Sequence, residues 1–463
     1  MAALTPSSSF SVTLKLRLPN RAGMLAKVTQ AIAAAGGNLG RIDLLDRVLT
    51  SMVRAIEIDA TSTEHAEQIV QAVRMVPDIE VLEVDDLTFD LHRSGKISVE
   101  AKVGIHTPSE LAMAYTPGVG RISTAIARNP EMVYDLTIKG NSVGIVTDGS
   151  AVLGLGNIGP EAALPVMEGK AMLFKQFADI DAFPICLATQ DVDEVVQAVS
   201  QLLPVFGGFN LEDISAPRCF DIESKLKARL PVPVFHDDQH GTAIVVLAAL
   251  INAFKVAGKS LEDARIVVNG AGAAGIAIIN LLKLAGARQI ACCDRFGIIS
   301  RRRPTLTAQK QAIAVEQSGT LVEALAGADA FIGVSVRDVL TVEMIDSMAA
   351  EPVVFALANP FPEIQPELVG DRVAVIATGR SDYANQINNV LAFPGVFRGA
   401  LDCRAEGITP EMNLAAAEAI AHLVGRTDLA PDWIVPSVFD ERVAPAVAAA
   451  VTDAARRDGV AKH

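Results

Sequence analysis

Aromatic residues are scarce in this chain: one tryptophan, three tyrosines and 17 phenylalanines among 463 residues, 5% in all. Half of the residues are hydrophobic, so any core must be aliphatic. Cysteine is also sparse. Cys186, Cys219, Cys292, Cys293 and Cys403 form neither a CxxC pair nor an even framework, which argues against a disulfide scaffold and suits a reducing cytoplasm. Basic residues are outnumbered, 40 Lys and Arg against 54 Asp and Glu, a formal charge of −14. That balance argues against nucleic acid or an anionic membrane as a partner. No window reaches about 18 uninterrupted apolar residues, so no membrane span is expected. The opening MAALTPSSSF lacks the basic and apolar regions of a secretion signal. At roughly 100–200 residues per domain, the length suggests two to four domains.

What is present begins with a compact pattern over residues 11–89. SVTLKLRL alternates as a strand does, PNRAG is turn-like, and MLAKVTQAIAAAGG is helical and closes on two glycines. RIDLLDRV and SMVRAIEIDA read as two strands, TEHAEQIVQAVRMV as a second helix and IEVLEVDDLTF as a last strand. The order βαββαβ predicts a ferredoxin-like sandwich. Over LPNRAGMLAKVTQAIAAAGGNLGRIDLL the sequence resembles an ACT domain, a module that binds small effectors at domain or subunit boundaries. That resemblance implies a first-loop ligand contact at Arg21, Ala22 and Gly23, and an effector near Asn20, Gly23 and Asn38.

Residues 260–380 alternate strand and helix: RIVVN, AAGIAIINLLKLAG, RQIACCD, then ADAFIGV, EPVVFALANP and RVAVIAT. Such alternation predicts an α/β fold with a Rossmann-type, doubly wound parallel sheet. NGAGAAG at 269–275 follows the first of these strands and opens the helix. Gly270 permits the tight turn, Gly272 admits the pyrophosphate close to the backbone, and Gly275 lets helix and strand pack closely; Ala273 and Ala274 complete the loop. The helix start offers free N–H groups to the phosphates. Asp294 ends the next strand, 19 residues after Gly275, where a carboxylate can accept from ribose hydroxyls and repel a 2′-phosphate. NAD is therefore expected over NADP, with Arg295 as the residue that opposes this preference. A second glycine pattern, Gly154, Gly156 and Gly159, reads as a cleft-lining loop. The run RRRP at 301–304 reads as solvated surface.

Four further segments place polar residues beside glycines and small residues: AYTPGVG at 114–120, VMEGKAMLFK at 166–175, LEDISAP at 211–217 and FHDDQHGTA at 235–243. Two acidic pairs, a lysine in an apolar helix and a tyrosine before Thr-Pro-Gly precede the nucleotide-binding half. With VTDGSAVLGLGNIG, GAGAAG, ALANP and NQINNVLAFPG, these blocks make residues 90–455 resemble the short bacterial malic enzymes.

The resemblance implies oxidation and decarboxylation of L-malate to pyruvate with NAD and Mg²⁺ or Mn²⁺. It implies Tyr115 as general acid, Lys170 as general base and Asp237 as the partner of that lysine. It implies Glu212, Asp213 and Asp238 as metal ligands, and Asn359 and Asn389 as donors to the malate carboxylates, Asn359 also lying beside the cofactor. Three carboxylates form a hard oxygen site that suits Mg²⁺ or Mn²⁺. Lys170 must be neutral to accept a proton, so burial and metal charge are expected to lower its pKa. Larger members carry an arginine just after VTDG; here Ser150 and Ala151 follow.

The domains expected are 1–89, an ACT-like regulatory unit; 90–250, an α/β substrate and metal domain; and 251–463, the NAD-binding Rossmann domain with C-terminal helices. A homodimer or homotetramer is expected. Two alternatives stay open: a malolactic conversion of malate to lactate on the same machinery, and an inactive small-molecule sensor.

Overall fold

The computed structural model describes residues 6–152 and 154–463. The chain forms two compact units, the first ending at Ser98 and the second running from Val99 to His463.

In the first unit β1 (Ser7–Pro19), α1 (Met24–Ala34), β2 (Asn38–Arg47), β3 (Ser51–Ala60), α2 (Thr63–Arg74) and β4 (Glu80–Asp86) follow in the expected order. The antiparallel sheet has strand order β2-β3-β1-β4. Alternation sets its two faces. Leu14, Leu16 and Leu18 of β1 are fully buried under the helices, while Lys15 and Arg17 reach Glu83 (3.5 Å) and Glu80 (2.5 Å) of β4 on the other face. Met24, Val28 and Ile32 of α1 and Ala66, Ile69, Val70 and Val73 of α2 close the core at helical spacing. β4 is shorter than its sequence suggests. The Asp86 side chain accepts from the N–H groups of Thr88 and Phe89, and this cap starts helix α3 (Leu87–His92) where a continuing strand was expected.

The second unit begins with α4 (Pro108–Ala114) and α5 (Gly118–Arg128), neither of which buries a residue. Two parallel sheets follow. The first has order β6-β5-β7-β8, from β5 (Ser142–Thr147), β6 (Asp181–Cys186), β7 (Gly208–Leu211) and β8 (Val234–His236). The second has order β11-β10-β9-β12-β13-β14, from β9 (Arg265–Asn269), β10 (Gln289–Asp294), β11 (Gly297–Ile298), β12 (Ala330–Gly333), β13 (Val353–Ala356) and β14 (Val375–Thr378). Only the β10–β11 pairing is antiparallel. β5 and β12 are buried along their whole length, as strands covered on both faces must be.

Helix Thr242–Val256 packs against helices Ala273–Leu284 and Pro410–His422 within one aliphatic core. The stretch Asp237–Val256 has the length and composition of a membrane span, yet 72% of its most apolar window is buried inside the protein. The helices Phe393–Asp402, Pro410–His422 and Val443–Arg457 pack on one another beside it. All five cysteines are free thiols, and burial pushes Cys292 and Cys293 up to about 12.

Candidate active site

Parallel sheets carry their chemistry in the loops beyond the C-terminal ends of the strands. The loops after β5, β7 and β8 meet there. The Ala151 N–H donates to the Asp213 carbonyl (2.9 Å), and the Ser215 N–H donates to Ser150 Oγ (2.9 Å). The Asp213 N–H donates to Asp238 Oδ2 (2.9 Å), which ties the second loop to the third. One oxygen from each of Glu212, Asp213 and Asp238 then lies within 4.8 Å of the others. Asp213 holds a positive φ of 54°, an unusual conformation in which Asp is among the better-tolerated residues.

Lys170 enters from the helix Pro160–Ala178 and is 8% exposed. Its Nζ lies 2.7 Å from Asp237 Oδ2 and 3.0 Å from Glu212 Oε1, with the Phe393 ring centroid 4.1 Å away. Burial opposes the lysine's charge, but Asp237 and then Glu212 outweigh it and raise its pKa. The expected lowering is therefore not found in the chain alone; two carboxylates within 3.0 Å hold the ammonium charged. Burial, opposed by Lys170 but reinforced by Asp237, Asp238 and Asp213, pushes the Glu212 carboxyl well above its ordinary range. Four carboxyl groups thus crowd together beside Lys170, and burial and their mutual repulsion push Glu212 up. A divalent cation would relieve that repulsion, and the all-oxygen donor set suits Mg²⁺ or Mn²⁺.

Residues that the motifs did not single out support this cluster. Asn210 Nδ2 donates to Glu212 Oε2 (2.8 Å). His236 Nε2 lies 3.0 Å from Asp238 Oδ2, and Gln239 Nε2 donates to Glu223 Oε2 (3.0 Å) and to His236 Nδ1 (2.8 Å). His240 Nε2 and Lys227 Nζ meet Glu223 Oε1 at 2.7 Å and 2.8 Å. The HDDQH run contains three of these residues, His236, Gln239 and His240. Glu223 lies far from the run in sequence and carries no local signal.

Asn389, expected as a donor to the malate carboxylate, lies beside Asp237. Its Nδ2 donates to Asp237 Oδ2 (3.0 Å) and to Thr242 Oγ1 (3.2 Å). These contacts hold Asp237 in place and set Asn389 beside the Lys170 pair. Asn359 is exposed just beyond β13, with its backbone close to Gly154 of the cleft-lining loop. Tyr115 caps the C-terminus of α4, just before α5, with 66% of its surface exposed.

The glycine-rich turn joins β9 to the helix Ala273–Leu284. Gly270 has φ +126°, and a Cβ there would stand 2.6 Å from the Val334 carbonyl oxygen. At Gly275 a Cβ would stand 1.7 Å from the Gly270 carbonyl oxygen, so only glycine lets helix and turn meet. Gly272 is the N-cap, and Ala273 and Ala274 form the first turn with free N–H groups. Asp294 ends the neighbouring strand, whose Cys293 carbonyl accepts from the Gly270 N–H (2.9 Å).

Family models for the malic enzyme N-terminal domain, the malic enzyme NAD-binding domain and the ACT domain match residues 94–227, 239–456 and 6–83. A protein of Geobacillus stearothermophilus named NAD-dependent malic enzyme is 50% identical over 99% of this chain and 97% of its own length. The chain belongs to the malic enzyme family. Another family member, the bifunctional malic/malolactic enzyme of Bacillus subtilis, is 55% identical over 80% of this chain and 93% of its own length. The crystal structure of the NAD-dependent malic enzyme of Thermotoga maritima superposes with a TM-score of 0.76 at 48% identity, covering 79% of this chain and 98% of that one.

Against this malic enzyme framework, two other expectations change. Arg303 of the run 301–304 is only 17% exposed at its side chain and binds Asp294, so the run is not simply solvated surface. Arg295, next to Asp294 in the chain, lies over the Phe296 ring (4.7 Å). In the ACT unit, Asn20 and Gly23 share the turn before α1, where Asn20 Nδ2 donates to the Val48 carbonyl (2.9 Å). Asn38 pairs with Asp59 while Pro19 pairs with Ser51, which puts Asn38 at the opposite end of the sheet, roughly 25 Å away at about 3.3 Å per residue. The three expected effector residues therefore do not form one site within this chain.

Proposed function

We propose that the chain converts L-malate and NAD to pyruvate, CO₂ and NADH, assisted by Mg²⁺ or Mn²⁺. The observation that carries this reading is the buried Lys170–Asp237 pair beside the Glu212, Asp213 and Asp238 oxygens. Glu212, Asp213 and Asp238 would hold the cation, which when bound supplies Lewis-acid polarisation of the substrate's oxygens. The glycine turn at Gly270, Gly272 and Gly275 receives the dinucleotide.

Lys170 takes the proton of the malate 2-hydroxyl, and Asp237 and Asn389 hold the lysine in line for it. A cation held by Glu212 would draw that carboxylate away from Lys170 and so favour the neutral form that a base requires. As C2 gives up its hydride to the nicotinamide, a 2-keto acid forms that loses its β-carboxyl group as CO₂. Tyr115 returns a proton to C3. Asn359 donates to the substrate carboxylate.

The test is product analysis of the full chain with L-malate, NAD and Mn²⁺. Equimolar pyruvate and NADH support the reading. Lactate without net NADH would support the malolactic alternative, which the name of the Bacillus subtilis relative keeps in view.

We further propose that the ACT unit binds a small amino acid or carboxylate beside Asn20 and Gly23 and that the enzyme works as a homo-oligomer in the cytoplasm. The apolar residues Leu111, Met113, Val119 and Ile122 of α4 and α5 are exposed in the single chain, and a second copy covering them would also enclose Tyr115. The free thiols suit a reducing compartment.

A further inference from the structure

One buried side chain outside the carboxylate cluster joins the ends of β12 and β13. Glu363 is fully buried. Its Oε1 accepts from the Ser335 N–H (3.0 Å), just past β12, and its Oε2 accepts from the Ala358 N–H (3.0 Å), just past β13. Gly333, the last residue of β12, makes room for this bridge: a Cβ there would stand 2.4 Å from the Glu363 carboxyl carbon. The Glu363 carbonyl also accepts from the Leu340 N–H (3.1 Å), so backbone and side chain of one residue both hold the loop after β12.

Both loops lie at the C-terminal ends of parallel strands, where such sheets bind their ligands. The clamped N–H of Ala358 belongs to the residue just before Asn359. Asn359 itself has little room: a Cβ on Gly379 would stand 3.2 Å from its Nδ2, and one on Gly154 would stand 2.7 Å from its carbonyl oxygen. Burial pushes the Glu363 carboxyl up, and the Ala358 and Ser335 N–H groups oppose that push. A buried carboxylate is costly unless it is hydrogen-bonded. This one takes its bonds from two separate loops, one on each oxygen. An amide of the same shape has only one accepting end, so it can hold one loop but not both.

We propose that Glu363 is a positioning residue for the reaction: its carboxylate bridges the loops after β12 and β13 and thereby fixes where Asn359 presents its amide. Glu363 touches neither substrate nor dinucleotide and acts through the backbone. The inference rests on the reading of Asn359 as a donor to the malate carboxylate.

The experiment is a double-mutant cycle in the full chain: wild type, Glu363→Gln, Asn359→Ala and the two combined. Malate is varied at saturating NAD and Mn²⁺, and hydrogen exchange of the Ser335 and Ala358 amides is followed by mass spectrometry. Melting temperature and the heat of Mn²⁺ binding report that each variant is folded. Glu363→Gln is expected to raise KM for malate roughly 10-fold, the size of one lost bond to a charged group, while kcat changes far less. Exchange at one or both amides should quicken. In the Asn359→Ala background the same change should add little, because residues that act through one another are not additive. A second variant, Gly333→Ala, crowds the carboxylate from the strand and should raise KM in the same way if Glu363→Gln proves too unstable to assay.

Two results overturn the proposal while Asn359 keeps its role: KM unchanged in a folded Glu363→Gln protein, or an effect that multiplies in full with that of Asn359→Ala, which is what a general loosening of the fold would give. An unchanged KM in Asn359→Ala alone would remove Asn359 as a substrate donor and this proposal with it; quickened amide exchange in Glu363→Gln would then mark the bridge as structural only.

Discussion

Lys170 Nζ donates to Asp237 Oδ2 over 2.7 Å, and Asn389 Nδ2 donates to the same oxygen over 3.0 Å. One carboxylate oxygen thus fixes the lysine of one helix against a side chain that lies 152 residues from Asp237 in sequence. Lys170→Ala should leave Glu212 and Asp237 buried without their cation. Breaking a buried pair costs about 3–5 kcal/mol, and loss of a general base slows turnover by roughly 10²–10⁴-fold. Denaturant unfolding and single-turnover NADH formation measure the two effects. A variant of normal stability and normal rate would contradict both assignments.

The two asparagines should separate kinetically. Asn389→Ala loosens Asp237 and is expected to lower kcat with little change in KM. Asn359→Ala removes the proposed donor to the substrate carboxylate and is expected mainly to raise KM for malate. Steady-state kinetics with varied malate at saturating NAD distinguishes the two, and the reverse pattern would exchange their roles.

Acid should expose the support beneath the cluster. Burial raises the Glu223 carboxyl, but His240 and Lys227 outweigh it and hold the group well below the usual carboxylate range. A pKa depressed on folding contributes stability that is present above the unfolded value, about 4.3, and is lost as pH falls toward the folded one. Melting temperature should therefore drop between about pH 5 and pH 3, and Glu223→Gln should flatten that acid limb. An unchanged limb in the variant would remove Glu223 from the account.

Much of the fold was legible because its signals are local. The alternation of β1 and the apolar runs of β9 and β12 report their own burial, and NGAGAAG reports a turn that only glycine can make. The cluster of Glu212, Asp213 and Asp238 was legible as residue types in motif order, but not as geometry: nothing in LEDISAP foretells the positive φ of Asp213. The charge state of Lys170, the engaged amide of Asn389 and the grip of Arg303 and Lys310 on Asp294 depend on partners 9 to 152 residues away. Those partners become neighbours only once the sheets assemble. The end of β4 was misread because Asp86 competes for the backbone as a helix cap, which outweighs a strand pattern one turn long.

The ACT unit makes its own prediction. A ligand binding beside Asn20 and Gly23 changes activity only if it distinguishes two states of the enzyme. With a typical coupling of about 1–3 kcal/mol, apparent malate affinity should shift by roughly 5–150-fold. The measurement is malate kinetics with a panel of amino acids and small carboxylates, for the full chain and for a chain lacking residues 1–88. A response in the full chain alone is expected. No response in either, together with an unchanged oligomeric mass on truncation, would leave the unit without a regulatory or assembly role.

The most direct test concerns the metal. The protein is stripped with EDTA, then titrated with Mn²⁺ while binding heat and NADH formation from L-malate are followed in parallel, at several pH values, for wild type and Glu212→Gln. The Glu212 carboxyl is held above its ordinary range by burial and neighbouring carboxylates, so a cation must displace a proton to bind, and affinity should rise with pH. The account predicts activity that follows Mn²⁺ occupancy in wild type, proton release on binding, and loss of both in Glu212→Gln. Full NADH formation in the stripped wild-type protein, or Mn²⁺-dependent turnover at the wild-type level in Glu212→Gln, would contradict it.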